Sequence, residues 1–315
     1  MRRLLKSLFK KKSKEDIFES ELCYSCNSSL PIKSKFNIYK CKSCNTLNFK
    51  AFSIANIQLE EFISYGGSGA VFKSGDKAIK LVYKKDWQAL KELHNEYDVF
   101  TSLKEIDKHL LPLEAFFEND IYAGLITPYE KGGTLAQYVE TNGPMDFRKG
   151  LEIILQVTDA LQCLYKNGFL YPDIKPQNIL ISASGDIQLC DYGHVSSLHS
   201  IEEDKDNISG TADFISPERL TGVKEDCRSS LYSVGLLIHY IFTAKKLYIA
   251  ESLQETAEKH VKNNAASFMK VELKHLPVNF IKLVERLTDQ DRNVRLGSFP
   301  EFKGLIRKQL TATPQ

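Results

Sequence analysis

The chain has 315 residues, of which 43% are hydrophobic and 26% are charged, and its formal net charge is +2. This composition is typical of an ordinary globular protein with room for a sizeable core. The charge is uneven, because residues 1–14 carry seven Lys and Arg and no acid, whereas residues 15–315 carry 35 basic and 40 acidic residues. The basic character therefore belongs to the N-terminal segment.

That basic segment, residues 1–17, is not a secretory signal, because its longest apolar runs are two residues, Leu4-Leu5 and Leu8-Phe9. These four side chains share one helical face, which suits contact with a membrane surface or an acidic partner; a solvated basic tail is the alternative. The best apolar stretch elsewhere, residues 234–242, is about half the length of a membrane-spanning helix. We expect a cytoplasmic protein.

Four of the seven cysteines form two C-x-x-C pairs within residues 18–52. They are Cys23, Cys26, Cys41 and Cys44. Each pair places two thiolates on one side of a tight turn, and two such turns close a tetrahedral site around Zn²⁺. The spacing predicts a zinc ribbon, with a short hairpin around Phe36, Ile38 and Tyr39 between the two turns. A redox-active C-x-x-C or an incidental set of reduced thiols are the alternatives.

The partner of the ribbon does not follow from its sequence, since ribbons contact nucleic acid, contact protein or brace a neighbouring domain. Tyr24, Phe36 and Tyr39 lie among four lysines, a composition that permits nucleic-acid binding. Aromatic residues in so small a module more often form its core. The sequence therefore does not favour a nucleic-acid partner.

From about residue 58 the pattern changes to strand, glycine turn, strand, tight turn and strand. Gly66, Gly67 and Gly69 in the first turn let the backbone approach a bulky anion, although glycine-rich hairpins are often only turns. Helical spacing follows over residues 86–103, a strand over 121–126 and an apolar helix over 150–167.

Two polar clusters follow the apolar helix. Asp173, Lys175 and Asn178 fall within six residues of a loop that contains two prolines. The next predicted strand ends at Asp191, directly before Tyr192-Gly193. An acid at a strand end before glycine is a good ligand for a hard metal ion.

In order and spacing, the motifs of residues 58–308 resemble those of the eukaryotic-like protein kinase family. The similar segments are the glycine-rich loop at 64–71, the V-A-I-K strand at 77–80, the catalytic loop at 173–178, D-F-G at 191–193 and A-P-E at 216–218. The resemblance implies an α+β, bilobal protein-kinase fold behind the zinc ribbon. Its β-rich N-lobe would cover residues 58–130 and its helical C-lobe residues 131–308.

The resemblance also implies a role for each matching residue. Asp173 would accept the proton of the substrate hydroxyl, and Lys175 would reach the γ-phosphate of ATP. Asn178 and Asp191 would hold Mg²⁺. The implied ATP-binding residues are Ser64, Gly66, Gly67, Gly69, Val71, Ala78, Lys80, Glu96, Thr127, Tyr129 and Glu130. Among these, Glu96 would pair with Lys80, and the last three would form the gatekeeper and hinge.

The function implied is that of a protein serine/threonine kinase, which uses ATP, Mg²⁺ and a protein substrate with a Ser or Thr acceptor. Lys175 is the main reason for Ser/Thr, because tyrosine-specific members generally lack lysine at that place. An ATP-binding pseudokinase scaffold or sensor is one alternative, and a small-molecule kinase of related fold is another. The A-P-E-like Glu218, expected to pair with Arg295, argues against the small-molecule class.

The sequence departs from the family pattern in three places. Ser64 replaces the first glycine of the loop, Tyr171-Pro172-Asp173 replaces H-R-D, and Ser230 replaces the aspartate of the D-x-W-S-x-G helix. Ser230 can donate a hydrogen bond but not a charge-assisted one. We therefore expect a catalytic loop that is less rigid, or one that Tyr171 braces.

Two further expectations concern residues 190–218. Because Pro172 stands where the arginine would be and acids cluster at 202–206, we expect activity without phosphorylation of this segment. Cys190 is expected to line the floor of the nucleotide pocket, with an inert buried thiol as the alternative.

Overall fold

The computed structural model describes residues 22–199 and 212–312, apart from residues 24, 27, 29, 31–34, 46, 249 and 251. The expectations for residues 1–17 and for the acids at 202–206 lie outside the described residues. The chain divides into two compact units: unit 1 is Met1–Asp98 with Pro112–Tyr129, and unit 2 is Val99–Leu111 with Glu130–Gln315. Unit 1 holds most strands and unit 2 most helices, which confirms the α+β class.

Unit 1 is mainly a β structure. Its strands are β1 (Ile38–Lys40), β2 (Leu47–Phe49), β3 (Phe52–Ile54), β4 (Ile57–Leu59), β5 (Glu61–Gly66), β6 (Gly69–Ser74), β7 (Lys77–Tyr83), β8 (Ala115–Glu118) and β9 (Tyr122–Pro128). Five of them form an antiparallel sheet in the order β5-β6-β7-β9-β8. Helix α1 (Trp87–Ser102) follows β7 and matches the helix predicted over 86–103.

Alternation of side chains explains the strands of the sheet, since Ala70 and Phe72 of β6, like Ile79 and Leu81 of β7, are fully buried. The glycine turn lies where it was predicted, between β5 and β6. Gly69 has φ +115°, and a Cβ atom there would lie 2.4 Å from the carbonyl oxygen of Leu81. Only glycine therefore fits at the start of β6.

The predicted hairpin between the two C-x-x-C turns is wrong. Strand β1 pairs with β2, which comes after the second C-x-x-C, and residues Lys35–Asn37 form a short turn in which Phe36 has non-helical backbone angles. The second C-x-x-C is itself the hairpin loop, because the Asn45 N–H donates to the Cys41 carbonyl at 2.9 Å. The local turn around the cysteines thus decides the pairing.

Successive side chains of the β1–β2 hairpin point to opposite faces, and both faces contain buried residues. Tyr39 packs with Cys23 and Cys41 on one face. Ile38 and Phe49 face the other way and pack with the residues of the five-stranded sheet. Tyr39, like Phe36, is buried, so neither ring is available to stack on a nucleic-acid base; Tyr24 lies outside the described residues.

Unit 2 is mainly helical, and none of the helices in its described part has both the length and the hydropathy to cross a membrane. The helix predicted over 150–167 is α3, which begins at Phe147 because the Asp146 carboxylate accepts the N–H groups of residues 148 and 149. The helices are α2 (Leu135–Asn142), α3 (Phe147–Lys166), α4 (Pro217–Thr221), α5 (Cys227–Thr243), α6 (Leu253–Lys262), α7 (Ala265–Glu272), α8 (Val278–Leu287) and α9 (Phe299–Ala312).

Two short antiparallel sheets of two strands each complete unit 2. Strand β10 (Phe169–Leu170) pairs with β13 (Ser196–Ser197), and β11 (Ile179–Ile181) pairs with β12 (Ile187–Leu189). The loop that joins β10 to β11 contains the predicted cluster at 173–178. The residues after β12 contain Asp191, so the β11–β12 hairpin holds both polar segments.

A buried ion pair joins α4 to the segment before α9. Arg295 Nη1 lies 2.7 Å from Glu218 Oε1, and both side chains are almost completely buried. The guanidinium also lies 4.7 Å from the centre of the Tyr232 ring. Burial lowers the pKa of Arg295, whereas the Glu218 carboxylate opposes that shift. The pairing predicted for these two residues is confirmed.

Substitution Arg295→Met should lower the free energy of unfolding by about 3–5 kcal/mol, because it leaves the Glu218 carboxylate buried without a cation. The matched control is Arg286→Met. Arg286 Nη2 lies 3.4 Å from Glu301 Oε1, and both side chains are about half exposed. The free energy of unfolding of this variant should fall by less than about 1 kcal/mol. Denaturant unfolding monitored by circular dichroism measures both. Equal losses in the two variants would contradict this assignment.

Candidate functional site

The predicted lysine of unit 1 lies on β7 and is held by an acid from α1. Lys80 Nζ is 2.8 Å from Glu96 Oε2, with the side chains 15% and 9% exposed. Lys80 is in register with Val71 of β6, which in turn pairs with Ser64 of β5. The predicted ion pair is therefore present, and it fixes one ammonium beside the strands that carry the glycine turn.

The glycine turn has free space around the Cα atoms of Gly66 and Gly67. Gly66 of β5 is opposite Gly69 of β6, and Gly67 is in the connecting turn. A Cβ atom at Gly66 or Gly67 would meet no heavy atom of the described chain within 4 Å. Packing within the chain therefore does not require these two glycines, whereas close approach of a bulky anion to the backbone would use them.

The remaining predicted residues of the nucleotide site lie on β7, on β9 and just after β9. Ala78 of β7 pairs with Thr127 of β9. The Tyr129 N–H donates to the Asp76 carbonyl at 2.9 Å. Glu130 begins the second segment of unit 2, where its carbonyl accepts the Gly133 N–H at 3.4 Å.

The predicted cluster of unit 2 converges on the Asp173 carboxylate. Lys175 Nζ is 2.7 Å from Asp173 Oδ2. The Asn178 amide donates to the same oxygen at 2.8 Å and to the Asp173 carbonyl at 3.0 Å. The carboxylate is thus oriented by a cation and by a neutral donor.

Asn178 and Asp191 are tied together through the backbone of Cys190. The Cys190 N–H donates to the Asn178 carbonyl at 2.9 Å, and its thiol lies 3.3 Å from the same oxygen. Asp191 follows in the left-handed region at φ 63°. Because both Asn178 N–H groups face Asp173, the amide oxygen is the atom that suits a hard cation, as does the Asp191 carboxylate.

Tyr171 braces this loop through its hydroxyl. The hydroxyl donates to the Cys190 carbonyl at 2.6 Å, and the side chain is buried. Burial raises the pKa of Tyr171 well above its usual value, and the charges of Asp173 and Asp191 raise it further. The hydroxyl therefore stays a donor, and of the two expected alternatives the contact is the one in which Tyr171 braces the loop. Ser230 is buried within α5.

The four cysteines of the ribbon form one cluster, with all sulfur atoms within 4.8 Å of one another. Cys23 Sγ is 3.7 Å from Cys44 Sγ, and Cys26 Sγ is 3.5 Å from Cys41 Sγ. These separations are too long for disulfides. A tetrahedral site with Zn–S bonds of about 2.3 Å places its sulfurs about 3.8 Å apart, so the cluster fits Zn²⁺.

Sequence reasoning missed Asn48, a buried polar residue beside the cysteines. Its amide lies 3.5 Å from Cys23 Sγ and 3.5 Å from the Tyr39 carbonyl. Such a donor orients a thiolate ligand. The signal was present, since Asn48 stands alone between the apolar Leu47 and Phe49 of a short strand.

The comparisons with known proteins agree with one another. The sequence model of the protein kinase domain family matches residues 58–308. The chain is 27% identical to a "probable serine/threonine-protein kinase" of Clostridium acetobutylicum over 74% of this chain and 36% of the relative. It is 32% identical to the serine/threonine-protein kinase PknB of Mycobacterium leprae, over 44% of this chain and 23% of the relative. It is 25% identical to Protein kinase 3 of Dictyostelium discoideum, over 92% of this chain and 33% of the relative. The chain thus spans about a quarter to a third of the length of these relatives.

Freshly purified, reduced protein should contain one Zn²⁺ per chain, because the four thiols fit a tetrahedral site. The double variant Cys41→Ser/Cys44→Ser should lose it. The matched control is Cys163→Ser, whose thiol lies 3.2 Å from the Glu105 carbonyl in unit 2 and which should keep the metal. Elemental analysis of the three proteins decides, and full zinc in the double variant would refute the site.

Proposed function

The chain belongs to the protein kinase family, and from this premise we propose that it is an ATP-dependent protein serine/threonine kinase. The observation that carries the proposal is the cluster on Asp173, in which Lys175 and Asn178 both bind one carboxylate. A carboxylate held in this way can accept the proton of a hydroxyl while a cation remains beside it. This is the requirement of phosphoryl transfer to an alcohol.

Each predicted residue receives a role in this proposal. Asp173 is the general base, and Lys175 offsets the charge that develops on the transferred phosphoryl group. Lys80, oriented by Glu96, binds the α- and β-phosphates, and the open backbone at Gly66 and Gly67 covers them. Asn178 and Asp191 are the proposed Mg²⁺ ligands, and Ser64, Gly69, Val71, Ala78, Thr127, Tyr129 and Glu130 are proposed to line the nucleotide site. Bound Mg²⁺ supplies charge neutralisation of the phosphates.

The proposed acceptor is a Ser or Thr of a protein. Lys175 supports it, as do the names of the relatives, which are serine/threonine-protein kinases. Zn²⁺ is the proposed metal of the cysteine cluster. The basic segment is proposed to contact a membrane surface or an acidic partner. The cytoplasm is the compartment that fits ATP supply and a reduced cysteine cluster.

Asp173→Asn should lower kcat by about 10²–10⁴-fold, the usual contribution of a general base, and should leave the Kd of Mg·ATP nearly unchanged. Asp191→Asn should weaken Mg²⁺-dependent ATP binding as well. The matched control is Asp186→Asn, in the turn between β11 and β12. The Asp186 carboxylate accepts from the Gln156 amide at 3.0 Å, and the kcat of this variant should stay near that of the wild type.

Transfer of labelled phosphate to a general protein acceptor and calorimetric titration with Mg·ATP measure these effects. Asp173→Asn as active as the wild type would refute the assigned base. A wild type that binds Mg·ATP without any transfer would instead identify the pseudokinase alternative.

Tyr171→Phe should reduce kcat several-fold and lower the free energy of unfolding by about 1–3 kcal/mol, because the carbonyl of the half-buried Cys190 loses the hydrogen bond from the Tyr171 hydroxyl. The control is Tyr192→Phe. The Tyr192 hydroxyl donates to the Leu189 carbonyl at 2.6 Å, and this acceptor lies one residue farther along the chain from Asp191 than the Cys190 carbonyl does. It should lose similar stability with a smaller change in kcat. The brace would be disproved if Tyr171→Phe matched the wild type in both measurements.

A further inference from the structure

Phe36, two residues before β1, has an unfavourable backbone conformation. Phe36 has φ 55° and ψ 26°, although bulky side chains rarely adopt the left-handed region. Its side chain is only 3% exposed. A strained residue persists only where the surrounding structure holds it in place. Its contacts therefore indicate what the ribbon is built to position.

The Phe36 ring lies against residues from four strands of the five-stranded sheet. The ring centroids are 6.2 Å from Tyr65 on β5, 6.2 Å from Phe72 on β6, 5.0 Å from Tyr83 on β7 and 5.6 Å from Tyr122 on β9. Three of these four contacts involve buried or half-buried side chains, which are ordinary core packing. The contact with Tyr65 differs, because Tyr65 is 52% exposed.

Tyr65 directly precedes Gly66, the residue at which β5 enters the open glycine turn. Its backbone pairs with Ala70 of β6. A ring that packs edge-on against Phe36, at an interplanar angle of 63°, fixes the end of β5 from the side of the ribbon. The turn itself is two residues long and has no side-chain packing at Gly66 or Gly67 within the described chain. Its position therefore depends on what fixes the strand ends.

The ribbon connects this contact to the cysteine cluster within the same hairpin. Phe36 precedes β1, on which Ile38 faces the sheet and Tyr39 faces Cys23 and Cys41. On β2, Asn48 approaches Cys23 Sγ, while Phe49 packs on Phe72. The two faces of one hairpin thus contact the cysteines and the sheet.

We propose that Phe36 is a positioning residue for ATP binding, which acts through Tyr65 to hold the glycine turn, and that the metal-bound ribbon keeps Phe36 in place. The inference rests on the proposed kinase function and adds to it a role for the ribbon. Phe36 itself touches neither nucleotide nor substrate in this scheme. The position of the phosphate-covering backbone then depends on the integrity of the cysteine site.

The test is a double-mutant cycle with Phe36→Leu, Tyr65→Ala and the combined variant, in the full chain with zinc content verified. Phe49→Leu is the matched control, because it makes the same change in the same ribbon. The Phe49 ring contacts the rings of Phe52, Phe62 and Phe72. Tyr65→Phe is the conservative variant that keeps the ring. Titration calorimetry gives the Kd of Mg·ATP, and steady-state assays give KM for ATP and kcat separately.

Each single variant should raise the Kd and KM for Mg·ATP by about two- to tenfold, the range that follows from one aromatic pair. Their kcat at saturating ATP should change little. The combined variant should be no worse than the more affected single variant, because both changes break one contact. Phe49→Leu should lower Tm as Phe36→Leu does and leave the Kd unchanged, and Tyr65→Phe should behave as the wild type.

The proposal is overturned if Phe36→Leu binds Mg·ATP as the wild type does, if Phe49→Leu shifts the Kd equally, or if the two single effects add fully. Should Phe36→Leu fail to fold, hydrogen exchange of residues 61–71 still decides. Exchange should rise in Tyr65→Ala, and in Cys41→Ser/Cys44→Ser, and stay at the wild-type rate in Tyr65→Phe. Unchanged exchange in Tyr65→Ala would refute the inference. A wild type without ATP binding or turnover would instead refute the proposed function.

Discussion

The packing around the ring of Phe72 is the interaction on which unit 1 depends. This fully buried side chain, at the middle of β6, has ring centroids 5.2–6.2 Å from Phe36, Phe49, Phe52 and Phe62. Two of these rings come from the cysteine ribbon, one from the β3–β4 hairpin and one from β5. A segment as short as the ribbon cannot build a core of its own without a metal. In this chain the ribbon packs on the five-stranded sheet and shares its hydrophobic core.

In unit 2, hydrogen bonds to the backbone hold the two polar segments in place. The Cys190 N–H donates to the Asn178 carbonyl. The Tyr171 hydroxyl donates to the Cys190 carbonyl, and the Tyr192 hydroxyl donates to the Leu189 carbonyl. Each bond joins one polar segment to the β11–β12 hairpin. The carboxylates of Asp173 and Asp191 therefore belong to loops whose ends are fixed by a short piece of regular structure. Rigid loops of this kind give a site its geometry at little cost in ordering when ligands bind.

Much of this arrangement could be predicted from the sequence, and the exceptions have physical causes. The helices over 86–103 and 150–167, the glycine turn and the pairs Lys80–Glu96 and Glu218–Arg295 depend on local periodicity or on family motifs, and they are present. The β1–β2 pairing was missed, because the C-x-x-C turn at Cys41 serves as the hairpin loop. The contacts of Phe36 were missed as well, since they join residues 29 to 86 positions apart, and periodicity carries no information at that range.

The replacements in the Tyr171-Pro172-Asp173 segment and at Ser230 are consistent with each other in electrostatic terms. An arginine and an aspartate in this region would place two further charges in a largely buried environment, where each requires a partner. Pro172 and Ser230 remove that requirement, and Tyr171 supplies a neutral donor whose raised pKa keeps its proton in place. A neutral hydrogen bond costs less to desolvate than an ion pair. The brace on Cys190 needs no cation, so, unlike an arginine at this place, it offers no positive charge with which a phosphate group could pair.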